Sequence, residues 1–216
     1  MDSGIISKER VKQYGEVFTP DSIVCDMIDL VEKQWGDISD AEYILKTYLE
    51  PACGDGQFLI RLLSRKLERV AKLPVEEREL ALVKAISSIY GVDIQDDNVN
   101  RSRERMLNII EGKAVPTFDL NNDNEIQIDL GIDINSKLKK LLKEILEENI
   151  ILGNTLETVE LFEYKFELDQ VQVRKFNIIE PDDLYKWSKK VKYIKLGELL
   201  MEQKNNSNDI DGSYEF

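Results

Sequence analysis

Glu50-Pro51-Ala52-Cys53-Gly54-Asp55-Gly56-Gln57-Phe58-Leu59 is the stretch on which the fold turns. The apolar lead-in Thr47-Tyr48-Leu49 reads as a strand, and the glycine-free run from Phe58 to Leu67 reads as a helix. Two glycines flanking an acid join them. Glycine permits unusual backbone dihedrals and close approach of a ligand. The first amides of a helix face outward and bind electronegative groups. A strand entering a helix through such a turn is built to hold a cofactor, whereas a bare Gly-x-Gly would be an ordinary tight turn.

Working outward, Gly15-Glu16-Val17-Phe18-Thr19-Pro20 precedes a helix with Ile23, Val24, Met27, Ile28, Leu30 and Val31 at helical spacing. Pro20 keeps Thr19 extended, and Thr19 or Asp21 caps the helix. A second short helix fits 40–46. The helix after the glycine loop runs to about Lys72, where Leu73-Pro74 breaks it. Another helix fits 76–88. Ile89-Tyr90-Gly91-Val92-Asp93-Ile94 is a buried strand ending in an acid, with Asp96 or Asp97 capping a helix to about Glu111. Residues 113–133 read as an acidic surface insertion. Asp119, Asn121, Asp123 and Glu125 alternate as in a calcium loop, but Asn124 stands where glycine is needed and Leu130 where the closing glutamate is needed. A solvated acidic loop is the better reading. A helix over 134–148 leads to a third strand, 149–152, and to Gly153-Asn154-Thr155-Leu156. The pattern then alternates with period two, from Phe162 to Leu168 and from Val171 to Ile179. That predicts a hairpin with Asp169-Gln170 at its turn. Residues 182–193 read as a short helix, and 203–216 as a disordered tail.

Strands alternating with helices predict a mostly parallel sheet flanked by helices, with ligands at the carboxyl ends of its strands. The glycine loop, Asp93 and Gly153-Asn154 all fall at such ends. An acid after the second strand suits ribose hydroxyls. A nucleoside-containing cofactor follows from spacing alone, but its identity does not, and a third glycine for the dinucleotide fingerprint is missing.

The totals narrow the classes. The chain of 216 residues carries a formal charge of −13 and lacks a dense basic cluster, which argues against gripping DNA unaided. Lys137-Leu138-Lys139-Lys140 reads as a solvated helix face. There is no histidine, which excludes His-based zinc sites, Ser-His-Asp triads and imidazole acid–base work. Two cysteines without CxxC spacing give no disulfide framework, and no run is long enough to span a bilayer. The start lacks the regions of a signal peptide. A cytoplasmic protein without membrane contact is the expectation.

The residues then carry a resemblance. The chain resembles the adenine-N6 DNA methyltransferases of restriction–modification systems. Gly15-Glu16-Val17-Phe18-Thr19-Pro20 is similar to the family's pre-sheet motif, and Glu50-Pro51-Ala52-Cys53-Gly54-Asp55-Gly56 to its Asp-Pro-Ala-Cys-Gly-x-Gly loop, with Glu for Asp. Gly91-Val92-Asp93-Ile94 matches its ribose-binding acid and the apolar neighbour of the adenine. Gly153-Asn154-Thr155-Leu156 is similar to its Gly-Asp-x-Leu, with Asn154 replacing the acid. The resemblance covers about residues 14–157. It implies a truncated Rossmann-like methyltransferase fold over 1–200, with a cofactor-binding core at 15–157 and a hairpin at 158–180. It implies S-adenosylmethionine held by Phe18, Thr19, Pro20, Glu50, Pro51, Ala52, Gly54, Asp55, Gly56, Asp93, Ile94 and Asn154. Acids such as Glu50 and Asp55 suit a sulfonium and an amino-acid end, where a pyrophosphate binder would avoid them. Cys53 reads as a small packed residue rather than a nucleophile.

One departure is decisive for activity. The family's Asn/Asp-Pro-Pro-Tyr/Phe tetrapeptide, which holds the target amine and stacks on the flipped base, does not occur. Asp182 and Tyr185 could take its polar and aromatic places only with both prolines lost; an Asp-Asp helix start explains them better. The later strands and target-recognition region of the family have no counterpart. The expectation is therefore an incomplete or accessory unit that meets DNA only with a partner, such as a specificity or catalytic subunit, or as a homodimer. The alternatives are a catalytically inactive binding module and a methyltransferase acting on another substrate class.

Overall fold

A computed structural model describes residues 19–118 and 125–155, together with the backbone of 159–167, 170–178 and 191–195. Helix α1 (Asp21–Glu32) begins directly after Pro20, with no side-chain cap, and passes into a 3-10 turn at Lys33–Trp35. Neither Thr19 nor Asp21 caps it. Asp21 is turned inward, where its carboxylate takes Arg61 Nε at 2.9 Å. Helix α2 (Asp40–Leu45) starts in a reciprocal cap: Glu42 N donates to Ser39 Oγ at 3.2 Å and Ser39 N to Glu42 Oε2 at 2.9 Å. Strand β1 (Tyr48–Glu50) enters the glycine loop, and α3 (Gln57–Val70) leaves it. Helix α4 (Val75–Ser87), strand β2 (Ile89–Asp93) and helix α5 (Asp96–Ile110) follow. Two short strands, β3 (Val115–Pro116) and β4 (Glu125–Ile126), pair antiparallel. Helix α6 (Ser136–Asn149) is capped by Asn135 and leads into β5 (Ile150–Leu152).

The architecture is α/β. The central sheet has the order β1-β2-β5 and is parallel throughout, with Leu49 opposite Tyr90 and Val92 opposite Ile151. Parallel pairing forces each return of the chain through a helix, which is why apolar stripes at helical spacing separate the three strands. Leu59, Ile60, Leu63 and Leu67 on one face of α3 are buried with Leu82 and Ile86 of α4, Met106 and Ile109 of α5, and Leu142 of α6. Gly91 sits where α3 meets the sheet: a Cβ there would lie 2.8 Å from Leu59 Cδ1 and 3.1 Å from Cys53 Sγ.

The insertion expected over 113–133 is not merely a surface loop. Val115, Thr117, Ile126 and Leu130 are buried, and Arg78 of α4 donates to the Leu130 carbonyl at 2.8 Å. Its apolar residues are too sparse to show periodicity but are spaced so that both short strands reach the core. The hairpin is present as β6 (Val159–Glu167) and β7 (Gln170–Ile178), with Glu167 opposite Gln170, so Gln170 belongs to the strand rather than to the turn expected at Asp169-Gln170. Strand β8 (Val191–Lys195) pairs with β7, so the helix expected over 182–193 gives way to strand at its end. The β-branched and aromatic pattern of Val191, Tyr193 and Ile194 suits a sheet. A sheet that ends early leaves an exposed edge, which the hairpin near 162–179 or a second subunit is expected to cover. The hairpin forms its own sheet instead, and among the described strands β1 pairs only with β2. The expected tail at 203–216 lies outside the described residues.

Among the described residues, Lys66 is the largest fully buried side chain. Its ammonium donates to Ile44 O at 2.7 Å, Lys46 O at 2.6 Å and Ser88 Oγ at 2.6 Å. The carbonyls that α2 leaves unpaired at its C-terminal end are thereby satisfied. Burial pushes the amine down from 10.5 to about 7. A lysine so depressed in the folded state adds stability at high pH that is lost as pH falls through about 7. Urea unfolding midpoints therefore rise between neutral and alkaline pH, and Lys66→Met removes that slope while lowering stability by about 2 to 4 kcal/mol through orphaned carbonyls.

Candidate functional site

Three strand ends meet where the parallel register places them. Cys53 N donates to Val92 O at 2.9 Å, and Gly153 N to Asp93 O at 2.9 Å. The loop after β1, the acid ending β2 and the turn after β5 are thus bonded to one another. Asp93 is the common member. Its Oδ2 accepts Gly54 N at 2.9 Å, and its Oδ1 accepts Gln95 N at 2.9 Å and Asn98 Nδ2 at 3.3 Å. Asp93, rather than Asp96 or Asp97, serves the start of α5, which has no side-chain cap of its own. A carboxylate has about four acceptor positions, so three bonds leave room for one further donor.

The glycine loop is shaped by α5. Gly54 and Gly56 have φ of 53° and 90°, in the left-handed region. A Cβ on Gly56 would lie 2.8 Å from Ser102 Oγ and 3.0 Å from Ser102 Cα, whereas one on Gly54 would meet nothing within 4 Å. Ser102 Oγ donates to Gly54 O at 2.9 Å. Arg105, three residues on, donates to Asp55 O at 2.8 Å, Gln57 Oε1 at 2.7 Å and Pro116 O at 2.8 Å, and pairs with the Asp55 carboxylate at 2.8 Å.

This changes the roles of the acids. Asp55 is matched by a cation of the chain itself. Glu50 is half-buried, accepts Ala52 N at 3.3 Å, and has no ion pair among the described residues. Burial pushes its carboxyl up from the ordinary range. Pro51 and Ala52 are exposed on the loop's outer side. Ile94 is 59% exposed and Leu152 54%, at the ends of adjacent strands. Large apolar side chains left in solvent beside a polar cluster offer a face to a flat apolar group. Asn154 is half-buried in the turn that Gly153 ties to Asp93. Gln57, at the first position of α3, is buried. Its Oε1 is held by Arg105, which leaves Nε2 a buried donor without a partner. Cys53 is buried, and burial and the nearby Asp93 push its thiol up to about 12, so it is a packed residue without nucleophilic character.

Thr19 and Pro20 are half-buried, and Phe18 lies outside the described residues. The pre-sheet segment reaches the loop's helix through Asp21 and Arg61, while Asp21 N donates to Phe118 O at 2.6 Å. Ser102, Arg105, Gln57 and Arg61 were not read from the sequence as site residues. Arg101-Ser102-Arg103-Glu104-Arg105 looks like a solvated face, and nothing in its spacing marks Arg105 as buried. Asp182 and Tyr185 lie outside the described residues, as do 119–124. Among the described residues, no group of three or more acids or cysteines could hold a metal. None of the described helices is long and apolar enough to cross a membrane. The chain matches no family model, no curated protein and no solved structure.

The two glycines separate strain from contact. Gly54→Ala costs about 1 to 2 kcal/mol for the left-handed backbone alone. Gly56→Ala adds a clash with a helix backbone and lowers stability by about 3 kcal/mol or more. Urea denaturation of both variants measures the difference; equal losses would show that Ser102 gives way freely.

Proposed function

We propose that this chain is an S-adenosylmethionine-binding, adenine-N6 DNA methyltransferase-like protein with a truncated Rossmann-like fold. It acts as an incomplete or accessory unit of a restriction–modification type system. The observation that carries this reading is the meeting of the Gly54-Asp55-Gly56 loop, Asp93-Ile94 and Gly153-Asn154 at the carboxyl ends of three parallel strands. The donor set fits the cofactor's parts. Asp93 offers its remaining acceptor position to ribose hydroxyls. Ile94 and Leu152 offer an apolar face to adenine, and Asn154 an amide to its edge. Glu50 supplies an uncompensated carboxylate for the positively charged end, and Gln57 Nε2 an orphaned donor for a carboxylate. Phe18, Thr19 and Pro20 belong to this reading through the resemblance.

When bound, S-adenosylmethionine supplies a methyl group on a sulfonium, ready for attack by an amine. The chain's own residues orient the nucleoside through Asp93 and hold the loop rigid through Ser102 and Arg105. A second reading, a binding module without transfer or a methyltransferase for another substrate class, is favoured by one observation: the Asn/Asp-Pro-Pro-Tyr/Phe tetrapeptide is absent from the sequence.

Calorimetry with S-adenosylmethionine tests the cofactor. The wild type binds, and Asp93→Ala and Glu50→Gln each weaken binding by about 10-fold or more. Gly54→Arg abolishes it. A bound cation favours ionised Glu50, so affinity falls as acidification protonates this raised carboxyl, and Glu50→Gln flattens that dependence. No binding heat, or variants as tight as wild type, would refute the site. Tritiated methyl transfer to DNA, with and without a candidate subunit, then separates the two readings.

A further inference from the structure

Arg105 of α5 is tied at once to the glycine loop, to α3 and to β3. Its Nη1 donates to Asp55 O at 2.8 Å and meets the Asp55 carboxylate at 2.8 Å. Its Nη2 donates to Gln57 Oε1 at 2.7 Å and to Pro116 O at 2.8 Å. Four acceptors thus match the four hydrogens of the two terminal nitrogens. A planar fork engaged on every prong has little freedom to turn, and the groups it holds are fixed with it. Arginine has no acceptor, so the Gln57 amide must present Oε1 to it, and Nε2 is the half left over. Gln57 is 4% exposed, and Nε2 has no partner among the described residues. A buried donor without an acceptor is costly, and native structures rarely keep one without a task. Gln57 is also the first residue of α3, which begins after Gly56 without a side-chain cap. The first amides of the helix and Gln57 Nε2 therefore gather donors at one helix end, where an anion is favoured. An unmatched Asp55 carboxylate in the same loop would oppose that anion, and Arg105 cancels it.

We propose that Arg105 is a positioning residue through which the glycine loop selects a ligand that carries a carboxylate. It acts through Gln57, by holding the amide oxygen so that Nε2 is left for the carboxylate. It acts through Asp55 by removing the competing charge. The ligand group is the amino-acid end of S-adenosylmethionine, so the inference rests on the cofactor reading above. Arg61, one turn after Gln57 on α3, gives the contrast. Its Nε lies 2.9 Å from Asp21 Oδ1, so it holds the start of α1 and leaves Gln57 to Arg105. Charge alone does not do this work. A lysine at 105 would match Asp55, but a single ammonium cannot hold Gln57 Oε1 and Pro116 O in the plane of a fork.

Calorimetry of the full chain with two ligands tests it. S-adenosylhomocysteine and its decarboxylated form share the nucleoside, the thioether and the amine, and only the first has the carboxylate. Arg105→Lys weakens S-adenosylhomocysteine by about 10-fold and leaves the decarboxylated form within about 2-fold. Gln57→Met, which keeps the side chain's length and removes its amide, does the same. In the Gln57→Met background Arg105→Lys moves the ratio of the two affinities no further, because the group it positions is gone. Arg101→Met, at the exposed arginine one turn earlier on α5, leaves the ratio as it was. A residue that only props the loop would cost both ligands equally when replaced, and equal losses overturn the inference. So do single effects on the ratio that add in the double variant, or an Arg101→Met that shifts the ratio as far as Arg105→Lys. If the wild type binds both ligands and no variant moves their ratio, the inference fails and the cofactor reading stands. If the wild type binds neither, both fail.

Discussion

The Asp93 carboxylate holds three segments of the chain in one place. It takes an amide from the glycine loop, an amide and a side chain from the start of α5, and its own carbonyl takes the amide after β5. A buried or half-buried anion with three donors is stable only if every donor stays put, so Asp93 makes the local geometry of each segment depend on the other two. The short strands need this. Three-residue ladders supply few backbone bonds, and side chains at their ends carry the rest of the alignment.

Two cations, Lys66 fully buried and Arg105 mostly so, do related work on either side of α3. Lys66 gathers the loose carbonyls at the end of α2, and Arg105 gathers those of the glycine loop and β3. Each replaces water at backbone groups that the fold has buried without secondary-structure partners. Arg105 also neutralises Asp55, which leaves Glu50 as the loop acid with no ion pair among the described residues. The local charge at the site is therefore less negative than a count of its acids suggests.

Much of the fold was legible because its signals are local and repeated. The apolar stripes of α3 and α6 and the acid-terminated run 89–93 fix element type and order, and the proline breaks at 20 and 74 fix boundaries. The glycine loop was legible because left-handed backbone leaves a mark in residue type, and Gly54 and Gly56 both use it. What sequence could not supply was partnership across distance. Arg105 and Asp55 are 50 residues apart, and nothing in Arg101–Arg105 distinguishes a buried guanidinium from a solvated one. The hairpin pattern was read correctly, but period-two alternation does not say which sheet a strand joins, and β7 pairs with β8 rather than β1 with either. The packed Val115 and Ile126 were missed because two-residue strands have no period to detect.

The order of the sheet has a kinetic consequence. Residues 39 apart join Gly54 to the Asp93 carboxylate, and the turn at Gly153 must then travel the length of two helices to reach the backbone carbonyl of the same residue. Long-range closures of this kind come late in folding, after the helices and their nearest contacts. A nascent or stalled chain that has formed α3 and α4 but not β5 would carry a folded-looking core with Asp93 only half engaged and its carbonyl open to solvent. Degradation machinery that samples such states would see the carboxyl end of the sheet as the last part to become resistant, and anything bound across Asp93 and Asn154 would shorten the time for which it stays vulnerable.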